Sequence, residues 1–306
     1  MKQKLQRVLP FAVSLAVLAW LLRGVDLAAL GASLTGRVVA VLVPSLVVYG
    51  AATLWLEAQS LSRLAHGPGA LSAWTAARIK CASYLIVIVN YALGAGALAL
   101  LLRRRAGMPL ARAASLVILI ATADLVVVLS MAGAGSALVR SGPTVHAGLV
   151  ATAIVGLFGG LLLLRMPRSL GPLERIRGLS AFDALRTVPL GDLALLFSLR
   201  IAFAICFVAV CGSAFFAFRV PAPLPELVAG VLIVAVVAAI PIAVAGLGTS
   251  QFAFVYLFGA FAPRETLLAM SLVLSAGMLA LRALMGVVFA REFTREALRD
   301  ARSAAP

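Results

Sequence analysis

Stretches of about 20 apolar residues recur along this chain with few charges inside them, and that recurrence decides the fold class. A helix carries its backbone through a hydrocarbon layer at low cost, because its N–H and C=O groups bond one another within the segment. Of 306 residues, 63% are hydrophobic and only 12% charged, and the mean hydropathy is +1.10. An average soluble domain carries roughly a quarter charged residues. The expected fold is an all-α polytopic membrane protein, one membrane domain over residues 1–306. No loop is long enough to fold as a separate soluble unit.

Eight apolar segments can be marked: 8–22, 38–61, 81–102, 112–132, 145–164, 190–211, 227–261 and 266–290. The first follows a basic start and resembles a signal sequence, but no small-x-small cleavage site comes after it, so it reads as an uncleaved first helix. Two segments are interrupted. "NYALGAG" falls within the third and "IPIAVAGLGTSQ" within the seventh.

Basic residues orient membrane helices, with Lys and Arg held on the cytoplasmic side. Lys2, Lys4 and Arg7 put the N-terminus inside, and Arg63, Arg78 and Lys80 after two crossings agree. If the third segment crossed fully, Arg103, Arg104, Arg105 and Arg112 would face outward and every later loop would invert. If it turns back at "NYALGAG", they return to the cytoplasm, and so does the loop carrying Arg165, Arg168, Arg175, Arg177 and Arg186. Only Arg23, Arg37, Arg140, Arg219 and Arg264 then stay outside, with Arg200 and Arg282 inside spans, and 19 of the 26 basic residues face the cytoplasm. The expected topology is six full spans plus two re-entrant or broken helical hairpins, one opening to each side. Residues 1–135 and 145–292 then form an inverted-topology repeat, with both termini cytoplasmic. Such repeats recur in secondary transporters, with substrate held near the midplane where broken helices meet.

Irregular backbone at membrane depth must be buried in protein or line a wet cavity. Gly94 and Gly96, and Gly246 and Gly248, are therefore expected to mark the functional cavity, although a small-xxx-small helix contact would use the same residues. Thr249 or Ser250 can cap the second arm, whose free N–H groups suit a phosphate or carboxylate. Asn90 either caps the first turn or joins two helices. Few ionisable groups lie in the spans, and such groups are costly there unless paired or wet. Asp124 and Arg200 can neutralise each other, as a structural pair or as part of a pathway. Arg282 either lines that pathway or snorkels to the inner interface. Lys80, with Arg78, can meet a lipid phosphate. Glu57 and Gln59 are expected at the interface.

Other classes find little support. The formal charge of +15 fits cytoplasmic loops facing anionic lipid, and no nucleic-acid motif accompanies it. Cys81, Cys206 and Cys211 have no paired spacing, and His66 and His146 lack neighbouring ligands, so no metal or cofactor is expected. No nucleophile–base set, nucleotide loop or carboxylate cluster supports an enzyme.

"NYALGAGALALLLRRRAGMPLARAASLVILIATADLVVVL" and "IPIAVAGLGTSQFAFVYLFGAFAPRETLLAMSLVLS" resemble the two signatures of the lysylphosphatidylglycerol synthase transmembrane region, or flippase-like domain. The resemblance covers nearly the whole chain. It aligns Asn90 and Asp124 with the family's asparagine and aspartate, and Pro241, Gly246, Leu247 and Gly248 with its second break. The chain departs from the pattern at Gly94-Ala95-Gly96, where the family commonly has charged residues, and at Gln251, where it has Glu. Ala121 and Thr122 stand near where an arginine often precedes the aspartate. The resemblance implies a bacterial inner-membrane protein that translocates a lipid or lipid carrier. Arg200, Arg282 and the helix ends are expected to meet an anionic headgroup. The alternative is a non-transporting scaffold for enzymes of a lipid or polyprenyl-linked pathway.

Overall fold

The computed structural model describes residues 35–65, 71–89, 91–138, 179–239 and 248–303, together with 151, 155, 159, 160, 162, 164 and 165. The expected span at 8–22 and most of that at 145–164 lie outside the described residues. The helices are α1 (Gly36–Leu64), α2 (Ala73–Val89), α3 (Tyr91–Ala106), α4 (Leu110–Leu138), α5 (Asp183–Thr187), α6 (Leu190–Ala217), α7 (Leu224–Ala239), α8 (Thr249–Phe258) and α9 (Arg264–Ser303). A short 3-10 turn, Ser180–Phe182, leads into α5. No strand occurs among the described residues.

Helices α1, α4, α6 and the Arg264–Phe289 part of α9 are long and apolar enough to cross a membrane. At 1.5 Å per residue, the 29 residues of α1 reach about 43 Å, more than the hydrocarbon thickness of roughly 30 Å. The other helices are shorter. The 16 residues of α7 reach about 24 Å and the 10 of α8 about 15 Å.

Side-chain contacts fix the direction of each long helix. Between α1 and α6, Arg37 reaches Phe216, Tyr49 meets Phe203 and Phe207, and Glu57 and Ser60 meet Arg200, so the two run antiparallel. Ser115 of α4 accepts from the Ala184 amide ahead of α6, and Asp124 accepts from Arg200, so α4 and α6 run parallel. Leu46 packs on Gly277 and Gly50 on Leu281, so α1 and α9 also run parallel. It follows that α1 ends and α4 begins at one end of the bundle, and α2–α3 leaves from and returns to that end. At the opposite end α6 stops and α9 starts, and α7–α8 returns there. Arg63, Arg103, Arg104, Arg105 and Arg112 are all exposed and gather at the first end.

The turn of the first hairpin is not where the glycines suggest. Both Gly94 and Gly96 lie inside α3, and the chain reverses between Val89 and Tyr91, around residue 90, which is outside the described residues. A Cβ built on Gly94 would stand 2.9 Å from Val87 Cα and 3.0 Å from Val87 N. In an unbroken helix, residues seven apart are separated by about 10.5 Å. Gly94 therefore lets the two arms close on each other. A Cβ at Gly96 would meet nothing within 4 Å. At the far end of α3, Gly107 (φ 64°) provides the left-handed stop, and Pro109 opens α4.

Two large apolar cores stack along the bundle, with a smaller third of Val127, Ala132, Ala204 and Leu232 where α4, α6 and α7 meet. One joins Leu61, Ile79, Leu102, Leu119 and Leu196, around the first hairpin. The other joins Leu42, Phe215, Val231, Phe258 and Met270, around the second. Each hairpin is thus held by its own core at its own end, and the polar residues collect between them.

Candidate functional site

On α1 the residues Tyr49, Thr53, Glu57 and Ser60 recur at helical spacing and share one face. The hydroxyls at 53 and 60 bond back to the preceding turn: Thr53 Oγ1 donates to the Tyr49 carbonyl at 2.7 Å and Ser60 Oγ to the Leu56 carbonyl at 2.9 Å. Glu57, only 4% exposed, meets two cations with one oxygen. Its Oε1 lies 3.0 Å from Arg200 Nη1 and 3.2 Å from Lys80 Nζ on α2. Glu57, expected at the interface, is thus buried between α2 and α6.

Arg200 is 1% exposed and links three helices. Its Nη1 also lies 3.4 Å from Asp124 Oδ1 on α4, and its Nη2 donates to Ser60 Oγ at 2.6 Å. The Phe203 ring lies 5.4 Å from the guanidinium carbon, within cation–π range. Two cations thus face two carboxylates. Balance of this kind makes buried charge tolerable at membrane depth, and losing one member strands another. The network is not saturated: Glu57 Oε2 and Arg200 Nε have no hydrogen-bond partner.

Beside the network lies a cavity of about 80 Å³, walled among others by Tyr49, Glu57, Lys80, Tyr84, Met278 and Arg282. The cations in its wall are Lys80 and Arg282. Arg200 is not in the wall, because its two terminal nitrogens are committed to Glu57, Asp124 and Ser60. Met278 lies near the centre of the apolar part of α9. One turn earlier on α9, Ser275 accepts a 3.1 Å hydrogen bond from Gln251 Nε2. That residue opens the second arm: buried Gln251 takes the Gly248 amide on its Oε1 at 2.6 Å, and Gly248 has φ 93°. The ends of both hairpins therefore reach the same stretch of α9.

The structure brings Lys80, Asp124, Arg200 and Arg282 together with Glu57, while Gln251, bonded to the Gly248 amide, meets α9 at Ser275, about two turns before Arg282, and Thr249 opens α8. Gly94 serves the hairpin packing, and Gly96 stands apart on an open face. Asn90 and Gly246 lie outside the described residues. The sequence reading left Glu57 out of the site. The signal that finds it is the polar stripe Thr53, Glu57, Ser60 at i, i+4, i+7 on an otherwise apolar helix. Among the described residues, no group of His, Cys, Asp or Glu could hold a metal ion, and the three cysteines are free.

A family model described as the lysylphosphatidylglycerol synthase TM region matches residues 7–286. No curated protein and no solved structure matches the chain.

Proposed function

Because this chain belongs to the lysylphosphatidylglycerol synthase TM region family, we propose that it is a flippase-like protein of the bacterial inner membrane that carries a lipid, or a lipid-linked carrier, between the leaflets. The observation that supports this best is the convergence of both hairpins on the middle of α9 beside a cavity walled by Lys80, Arg282 and Glu57. A cavity with more cations than carboxylates suits an anionic headgroup, and Lys80 and Arg282 meet it. Arg200 holds the surrounding helices instead.

The pairing of helices supports an inverted repeat. Exchange α1 for α6, α2 for α7, α3 for α8 and α4 for α9. The packing of α2 on α9 then becomes that of α7 on α4, the packing of α1 on α9 becomes that of α6 on α4, and α1 on α6 maps onto itself. Movement of one half against the other would open the cavity to each side in turn. Its present size is small against ligand pockets of roughly 300 Å³ or more, which fits a closed state. The same smallness favours the second reading, a non-transporting scaffold for lipid-modifying enzymes.

Reconstitution separates the two. Liposomes holding the protein and fluorescent lipids of several headgroup classes are expected to show faster exchange between leaflets than empty ones for at least one anionic lipid. No acceleration for any class favours the scaffold. Orientation is read from Arg104→Cys in a background with Cys81, Cys206 and Cys211 replaced by alanine. An impermeant maleimide is expected to label it from the cytoplasmic side only, and labelling from outside overturns the topology.

A further inference from the structure

Two carboxylates of the buried network share a single nitrogen. Arg200 Nη1 lies 3.0 Å from Glu57 Oε1 and 3.4 Å from Asp124 Oδ1. Their holds are unequal. Glu57 Oε1 also takes Lys80 at 3.2 Å, so a proton on Glu57 would strand two cations. Asp124 has the longer contact, and a proton on it leaves Arg200 with Glu57 and with Ser60 Oγ at 2.6 Å. Enclosure differs in the same sense. The Asp124 side chain is 39% exposed, against 6% for Glu57 and 0% for Arg200. Asp124 is therefore the member of the network that gives up its charge at least cost.

We infer that Asp124 is a proton-binding site, and that the protein takes up an anionic headgroup together with one proton. The inference rests on the anionic-lipid reading above and deepens it by naming what travels with the lipid. Added net charge is costly at membrane depth. A singly charged headgroup beside Lys80 and Arg282 removes one positive unit from the site, and a proton on Asp124 restores it. The two positions are close enough to couple. Contacts of 3.4, 3.0 and 3.2 Å run from Asp124 through Arg200 and Glu57 to Lys80, so the carboxylate lies within about 10 Å of the cavity's cation. At an effective dielectric of about 20, neutralising a unit charge at that distance changes an anion's affinity by roughly tenfold. The bound anion favours the proton by the same factor, because coupling is reciprocal. The proton comes from water and returns to water on release, and no bond of the lipid is made or broken. Anion and proton together carry no net charge, so their passage answers to a pH difference across the membrane and not to its potential.

Arg200, with Glu57 and Lys80 behind it, supplies the charges that Asp124 meets. Other charges on the elements packed against α4 are farther away. Asp183 and Arg186 lie by the Ser115 turn, about 13 Å along the helix, and Asp192 is on α6 about two turns before Arg200. On α7, Glu226 precedes Ala229, which meets Gly135 about 16 Å the other way, and Arg103, Arg104 and Arg105 close α3. No histidine is among the described residues.

The test measures binding of short-chain phosphatidylglycerol and phosphatidylmethanol, both singly charged throughout, to the full chain in phosphatidylcholine nanodiscs at about pH 5 and about pH 8. Binding is expected to be about five- to tenfold tighter at the lower pH, and mixing in lightly buffered solution between the two is expected to draw protons from the medium. Asp124→Asn is expected to bind at the higher pH as tightly as the parent does at the lower, with less than about twofold dependence left. Asp124→Glu is expected to keep the dependence. Equal parental affinity at both pH values with no proton uptake overturns the inference and leaves the anionic-lipid reading standing. A dependence that survives in Asp124→Asn overturns the assignment to Asp124. If neither lipid binds above the phosphatidylcholine background at either pH, that reading falls and the inference with it. The parental comparison stands even if a variant folds poorly.

Discussion

Arg200→Met is expected to cost the folded protein about 3–5 kcal/mol, the range for breaking a buried charge network from one side. The guanidinium is shared by Glu57 at 3.0 Å and Asp124 at 3.4 Å and lies among apolar helices. Methionine fills similar space but leaves Asp124 without its cation, whereas Glu57 keeps Lys80 at 3.2 Å. The asymmetry makes a second expectation. Adding Asp124→Asn to Arg200→Met recovers most of the loss, because the stranded charge is gone. Thermal unfolding and the monodisperse fraction after detergent extraction measure both. A single variant that melts like its parent would show that the network does not hold α1, α4 and α6 together. Should the double variant fold and still accelerate lipid exchange at the parental rate, Arg200 is structural and the path runs through Lys80 and Arg282 alone.

Gly94→Val is the second large effect. Its new Cβ would have to occupy space 2.9 Å from a backbone carbon of Val87, so the arms of the first hairpin must part. Overpacking of this kind costs about 1–3 kcal/mol even where neighbours are side chains that can move, and backbone moves less readily. Lys80 and Val87 ride on the displaced arm, so cavity and ion pair suffer together. Gly96→Ala, two residues on, should do the opposite: nothing lies within 4 Å of its Cβ, and alanine favours helix over glycine by about 1 kcal/mol. Unfolding temperatures of the two variants are expected to move in opposite directions. If both fall alike, α3 does not pack on α2 as described.

The contrast between those two glycines shows what the sequence could tell. Apolar runs of sufficient length marked α1, α4, α6 and α9, because length against bilayer thickness is a one-dimensional property. The arginines after α3 foretold that the chain returns to the end it came from. The turn was expected at "NYALGAG", but the break expected at Gly94 and Gly96 is helix, since a missing side chain serves a bend and a close approach equally well. Only the position of Val87 distinguishes them. Glu57 was left out of the site for a related reason. Counted along the sequence it lies near the end of α1, and its burial comes from Arg200, 143 residues away, and from Lys80 on the neighbouring arm. Its period with Thr53 and Ser60 was readable. That the face met a guanidinium was not. Arg282 was weighed between pathway and interface, and its position beside the cavity follows from the parallel packing of α9 on α1.

One long rod connects these parts. Helix α9 runs 40 residues without interruption, about 60 Å, and touches the end of the second hairpin at Ser275, the cavity from Met278 to Met285, and the first hairpin through Gly286 and Leu85. A stiff body in contact with both hairpins cannot lean for one and stay upright for the other. A tilt of about 5° would shift one end against the other by about 5 Å over that length, so the contacts at Ser275 and at Gly286 are expected to change together.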